Sequence, residues 1–139
     1  MTMRDIKFRI WDGAKNEWLA SSSKDALPYY GFALVGEVMT VQSLPYWSLD
    51  EGNIVEQFTG LKDINGAEIF EGDIIFQKPL SKNSIGWVGK IIFKQGAFMA
   101  EVYERGKIVM YLFLSEFNAE KTSEVIGNIH ENPELLEKK

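Results

Sequence analysis

The sequence predicts an all-β protein, and three observations carry that expectation. Apolar and polar residues alternate with period two near the start, turn residues recur roughly every 8 to 12 positions through the second half, and helix-forming runs are scarce. The expected architecture is an N-terminal strand hairpin with an insertion, packed on an SH3-like or related small β-barrel over residues 70–131 and followed by a short helix. Residues 1–139 are expected to form one domain, with 1–58 as an N-terminal β-subdomain carrying a variable insertion at 21–52 and 59–139 as the barrel-like part.

The first element is read from Ile6, Phe8 and Ile10 pointing to one side while Lys7, Arg9 and Trp11 point to the other, the pattern of a half-buried strand. Asp12-Gly13 turns the chain and Glu17-Trp18-Leu19 resumes in extended style, so residues 5–20 predict a hairpin with its loop at Asp12 to Asn16. The texture then changes. Ser21-Ser22-Ser23, Pro28, Gly31, Gly36, Pro45 and Gly52 punctuate two short apolar runs, Phe32 to Val35 and Val38 to Val41, which read as a second, loosely specified hairpin. Tyr29, Tyr30, Tyr46 and Trp47 sit beside its prolines and glycines. Two readings stand for them: they cover the core, or they face a protein partner.

Residues 53–79 are the most informative stretch. Ile54, Glu56 and Phe58 lead into Leu61-Lys62-Asp63-Ile64-Asn65-Gly66-Ala67-Glu68-Ile69-Phe70, where Asn-Gly is a strong hairpin signal. A two-residue turn would set the Asp63 and Glu68 carboxylates against each other. A type I turn starting at Asp63, with Gly66 left-handed in a bulge, instead pairs Lys62 with Glu68 and Leu61 with Ile69, and this register is the expected one. Glu71-Gly72-Asp73 bends the chain into the strand Ile74-Ile75-Phe76, and Pro79 to Ser84 is a polar, turn-rich loop. Strands follow at Trp87 to Lys94, Phe98 to Tyr103 and Lys107 to Phe113, separated by turns at Gln95-Gly96 and Arg105-Gly106. Leu114 to Ala119 predicts a single helical turn, Val125, Ile126 and Ile129 a last short strand, and Asn132-Pro133-Glu134 the capped start of a terminal helix.

Composition narrows the function classes. At 139 residues and 15.9 kDa the chain is long enough to bury about two thirds of its unfolded surface. A hydrophobic content of 45% and a mean hydropathy of −0.15 exclude a disordered tail, and no apolar run reaches the length of a membrane-spanning helix. The start, MTMRDIKFRI, lacks a continuous apolar stretch and is not expected to be a signal peptide. The absence of cysteine removes disulfides and thiolate chemistry, and a cytoplasmic protein is expected. A net charge of −5 argues against a surface built mainly to track phosphates.

Few catalytic constellations can be assembled. One histidine, His130, and no cysteine cannot build the usual zinc sites. Asp63, Asn65 and Gly66 resemble part of a calcium loop, but with Gly66 at loop position six, Leu61 and Gly72 fall where the loop needs acids. There is no Gly-x-Ser-x-Gly elbow, and no phosphate-binding glycine motif follows a strand. His130 reads as a strand-end side chain bonded to backbone or solvent. Glu68, Glu71 and Asp73 lie close enough in sequence for carboxylate-based hydrolysis, although acids flanking a turn more often bond turn amides, Asp73 above all. A basic, aromatic nucleic-acid face would use Lys78, Lys82, Trp87, Lys90 and Lys94 with Phe76 and Phe93, diluted by Glu101, Glu104, Glu116, Glu120 and Glu124. No cofactor, metal or catalytic residue is assigned. The favoured function is non-enzymatic, through a protein partner or self-assembly, with a nucleic-acid-associated barrel and a carboxylate hydrolase as alternatives.

Three stretches together resemble the YopX family of phage and prophage proteins. They are Arg4-Asp5-Ile6-Lys7-Phe8-Arg9-Ile10-Trp11-Asp12, the run from Gln57 to Ile75 containing Gly60-Leu61-Lys62-Asp63-Ile64-Asn65-Gly66 and Phe70-Glu71-Gly72-Asp73, and Glu124-Val125-Ile126-Gly127-Asn128-Ile129-His130-Glu131-Asn132-Pro133-Glu134-Leu135-Leu136. The matched pieces span nearly the whole chain, with Ser21 to Gly52 the poorest match. The resemblance implies a phage or prophage gene of Gram-positive bacteria, a product in the host cytoplasm, an all-β fold and a capacity for self-association. It implies no reaction and transfers no catalytic residue.

Overall fold

The structure, a computed structural model, describes residues 6–20, 30–35, 38–43 and 53–137. The chain divides into two compact units, residues 6–57 and the residues from 58 onward, with the boundary inside a strand.

In the first unit β1 (Phe8–Asp12) and β2 (Glu17–Ala20) form the expected hairpin, and Asp12 closes its turn by accepting the Ala14 and Lys15 amides at 2.9 and 3.2 Å. β3 (Tyr30–Val35) and β4 (Val38–Ser43) pair antiparallel, setting Phe32 against Val41 and Leu34 against Met39. β5 (Asn53–Lys62) begins in this unit and pairs antiparallel with β1, from Phe8 opposite Gln57 to Asp12 opposite Asn53. β1 is therefore a central strand. Where alternation predicts one wet face, Arg9, Ile10, Trp11 and Asp12 are all buried. The charge is tolerated because Arg9 Nε donates to Glu56 Oε1 at 2.9 Å and the guanidinium lies 4.6 Å from the centre of the Trp18 ring, which in turn meets Trp11 edge-on.

The second unit opens with the remainder of β5 and β6 (Glu68–Phe70). Lys62 pairs with Glu68 as expected, the Gly66 amide bonds the Asp63 carbonyl at 3.0 Å, and Gly66 is left-handed at φ 82°. Leu61 does not pair with Ile69: β5 bulges between Phe58 and Lys62, and Phe58 lies opposite Phe70. The extra length is held by Thr59, whose hydroxyl donates to the Ile69 carbonyl at 2.7 Å.

β7 (Asp73–Gln77), β8 (Trp87–Lys94), β9 (Ala97–Glu104) and β10 (Lys107–Phe113) then run as an antiparallel meander. The β8–β9 and β9–β10 connections are two-residue turns, Gln95-Gly96 and Arg105-Gly106, with all four φ angles positive, as the twist of a tight hairpin demands. The predicted helical turn is divided between a 3₁₀ turn at Leu114–Glu116 and α1 (Ala119–Thr122). β11 (Ser123–Asn128) returns to pair with β7, giving the order β10-β9-β8-β7-β11. A four-strand meander whose fifth strand comes back beside the first is the connectivity of a small SH3-like barrel. The terminal helix is a 3₁₀ turn at Pro133–Leu136. Asn132 turns its side chain away from that turn to accept the Asn128 amide at 3.3 Å.

Ile69, Ile75, Ile91, Ala100, Leu114 and Ala119 form the core of this unit, with Leu61, Trp87, Phe98, Phe117 and Val125 packed around them. Each fully buried isoleucine contributes about 1.5–3 kcal/mol. Trp87 and Phe117 meet edge to face at 5.2 Å, tying the start of β8 to the segment before α1.

Candidate functional site

Tyr29, Tyr46 and Trp47, three of the four aromatics considered for a partner, lie outside the described residues. Tyr30 opens β3, paired with Ser43. The lysines of the nucleic-acid alternative are divided by the period of the strand. Trp87 belongs with the core, whereas Lys90 and Lys94 stand on the opposite face of β8, and Lys78 and Lys82 are exposed in the connection between β7 and β8. Lys90 and Lys94 are both engaged within the sheet. Lys90 Nζ lies 3.2 Å from Glu101 Oε1, and Lys94 Nζ lies 4.2 Å from the centre of the Tyr111 ring.

That face carries the most perturbed titrating groups among the described residues. Lys90, Glu101 and Tyr111 stand opposite one another on β8, β9 and β10, and Tyr103 Oη donates to Glu101 Oε1 at 2.6 Å. Burial pushes the Glu101 carboxyl up, but hydrogen bonds from Tyr103 and Lys90 and the lysine charge outweigh it and hold the group below the usual carboxylate range. Burial, then the bond to Glu101, pushes the Tyr103 phenol well above its ordinary value. Both shifts move away from neutrality, the reverse of what a proton-transfer pair near pH 7 needs. The cluster is a sheet staple.

The other acids are likewise placed as structural groups. Asp73 is buried and accepts the Phe70 amide at 2.8 Å, bracketing the Glu71-Gly72 turn, and Glu68 stands opposite Lys62. His130 lies in the turn after β11, its backbone amide bonded to Asn128 Oδ1 at 3.0 Å. Two buried polar residues exceed what the sequence suggests. Asp63, expected only as the start of a turn, accepts the Asn65 and Ala67 amides through Oδ1 and the Val125 amide through Oδ2 at 2.8 Å. Gln77 Oε1 accepts Ser123 Oγ at 2.6 Å and Thr122 Oγ1 at 3.1 Å. Both clamp β11, and neither partner is near in sequence. Among the described residues no three His, Cys, Asp or Glu side chains group to hold a metal ion, and no helix is long and apolar enough to cross a membrane.

The unsatisfied surface lies elsewhere. Ile108, Val109, Met110, Tyr111 and Phe113 of β10 are each 38–49% exposed, and Phe93 of β8 is exposed too. At the C-terminal end of β10 an open cleft of about 780 Å³ is walled by Leu61, Phe98, Phe113 and Phe117 and rimmed by Glu116 and Glu120. None of its lining residues is basic, and Glu68, Glu71 and Asp73 are not among them. An apolar strand edge running into an apolar cleft with an acidic rim can hold an extended segment of protein.

Comparison with known proteins covers nearly the whole chain. The family model described as YopX protein matches residues 7–137. The crystal structure of protein EF1440 from Enterococcus faecalis is similar, with a TM-score of 0.62 and 29% identity over 96% of this chain and 99% of that one. The crystal structure of protein YopX from Bacillus subtilis shares the fold with a TM-score of 0.63, at 19% identity over 96% of this chain and 97% of that one. No curated protein matches the chain.

Proposed function

The chain belongs to the YopX family, and on that premise we propose that it is a non-enzymatic phage or prophage accessory protein, acting in the host cytoplasm by binding protein, copies of itself included. The observation that carries this reading is the run of exposed apolar residues along β10 leading into the cleft beside Phe113. A surface strand rarely exposes this many apolar side chains on its two faces without a partner to cover some of them. Of the acids considered for hydrolysis, Asp73 brackets a turn and Glu68 faces Lys62, which is weak support for an enzyme.

Size-exclusion chromatography with light scattering, run beside capture from a host lysate by the immobilised chain, tests the reading. Self-association or a specific captured protein is expected; a strict monomer that captures nothing refutes it. A salt titration against single- and double-stranded DNA and RNA tests the nucleic-acid alternative. With Lys90 on Glu101 and Lys94 over Tyr111, no salt-dependent affinity is expected at low ionic strength.

A further inference from the structure

Every amide from Asp63 to Ala67 is bonded. Asp63 N–H donates to the Ala67 carbonyl at 2.8 Å, Ile64 N–H to the Ser123 carbonyl at 2.9 Å and Gly66 N–H to the Asp63 carbonyl at 3.0 Å. The Asn65 and Ala67 amides go to Asp63 Oδ1 at 2.9 and 2.8 Å. This set of bonds surrounds the one Asn-Gly pair in the chain.

Asparagine before glycine can react with the chain that carries it, because a glycine nitrogen has no neighbouring Cβ to crowd its approach. A bond forms between Gly66 N and Asn65 Cγ. The proton that Gly66 loses is made good, through solvent, on Asn65 Nδ2, which leaves as ammonia. Water then opens the cyclic imide at one of its two carbonyls. Opening at Cγ gives an ordinary aspartyl residue, whereas opening at the main-chain carbonyl leaves Gly66 joined through Cγ, an isoaspartyl link with an extra carbon in the main chain.

No packing opposes this reaction at Asn65. Both residues of the pair are exposed, the Asn65 side chain has no hydrogen-bond partner among the described residues, and a Cβ built on Gly66 would meet no atom within 4 Å. The hydrogen bonds do oppose it. The Gly66 N–H is committed to the Asp63 carbonyl. A type I turn also holds ψ of its third residue, here Asn65, at about 0°, which keeps the Gly66 nitrogen beside the Asn65 amide and away from the Cβ side where the ring closes. Asp63 fixes the turn to the rest of the barrel, since Oδ2 accepts the Val125 amide of β11.

We propose that Asn65 is a deamidation site gated by the Asp63 clamp, protected while the clamp is shut and reactive when the turn opens locally. An extra main-chain carbon between Asn65 and Gly66 shifts Ala67 from Asp63 Oδ1 and slips the pairing of Lys62 with Glu68, so β11 loses its anchor. A reversible opening thereby becomes a permanent one.

The full chain is incubated in mildly alkaline buffer, then digested, and mass-spectrometric mapping follows ammonia loss and the isoaspartyl isomer at position 65. Folded wild type is compared with urea-unfolded wild type, with Asp63→Ala, and with Val102→Ala, a truncation of a buried β9 side chain that leaves the clamp intact. Folded wild type should react about a hundredfold or more slowly than the unfolded chain, Asp63→Ala about tenfold or more faster than folded wild type, and Val102→Ala within about twofold of it. Equal rates for folded and unfolded wild type overturn the gate, and an Asn65 left intact in the unfolded chain overturns the site. Equal acceleration by Val102→Ala makes global unfolding the route and overturns the role of Asp63. If Asp63→Ala does not fold, wild type in sub-denaturing urea decides. A rate indifferent to urea supports local opening, and one that climbs with the full unfolding slope overturns it.

Discussion

Replacing Asp63 with asparagine is the sharpest test of how the barrel is closed. The carboxylate is buried and accepts three amides, two from its own turn and one from Val125, 62 residues away. Asparagine has one acceptor oxygen and one donor nitrogen, so whichever way the amide is turned, at least one buried N–H faces another N–H. An unsatisfied buried donor costs about 1–3 kcal/mol, and the remaining bonds fall from charge-assisted to neutral strength, for a total of about 2–4 kcal/mol. Asp63→Ala loses all three acceptors. Water reaches the turn amides of a surface hairpin, so about 3–5 kcal/mol is expected and not three full penalties. Urea unfolding gives both numbers, and amide exchange separates their causes, since Val125 should lose protection in each variant. If Asp63→Asn came within about 0.5 kcal/mol of wild type, a range ordinary for surface substitutions, or if Val125 exchange were unchanged, the carboxylate would not be the clamp described.

Three further outcomes are expected. Because the folded-state pKa of Glu101 is depressed, its contribution to stability is complete above the ordinary value of 4.5 and is lost as pH falls through the folded value; Glu101→Gln should flatten the melting temperature against pH in the acid range and leave its slope near pH 7 unchanged. Arg9→Ala should cost about 3–5 kcal/mol by removing the guanidinium that the buried Glu56 carboxylate bonds, whereas Arg9→Met/Glu56→Leu should cost less than that single truncation, measured by denaturant titration. Gly86→Ala should destabilise by about 1–3 kcal/mol, since a Cβ there would lie 2.5 Å from the Gln77 carbonyl oxygen and 2.7 Å from the Phe76 ring, and a lowered urea midpoint would show it.

The local grammar of the fold is legible in the sequence because it is set by neighbours. Asp63 to Glu68 specifies its own register through opposed charges, and Gln95-Gly96 and Arg105-Gly106 announce their turns. What a strand is next to cannot be read in this way. Lys-Ile-Val-Met-Tyr-Leu-Phe at 107–113 has the composition of a buried strand, and only the return of β11 to β7 leaves it outermost. Arg9 reads as the wet face of a hairpin until Glu56, 47 residues on, arrives beside it. Trp87 and Lys90 look like one aromatic and basic patch in a linear scan, but an odd separation of three along a strand puts them on opposite faces. The exposed apolar edge is thus hardest to read in the sequence, for it depends on which strand is left without a neighbour among the described residues.

The return of β11 also dictates an order of events. Every other pairing in the five-stranded sheet joins strands adjacent in the chain, whereas β7 and β11 pair residues as far apart as Asp73 and Asn128. A growing chain can therefore make its meander early, as successive hairpins each closing a short loop, and must wait for residues 123–128 before Asp63 and Gln77 find their acceptor-seeking partners. Closing that long loop is the step expected to set the refolding rate, and until it closes the meander is a sheet with two open edges, β7 and β10.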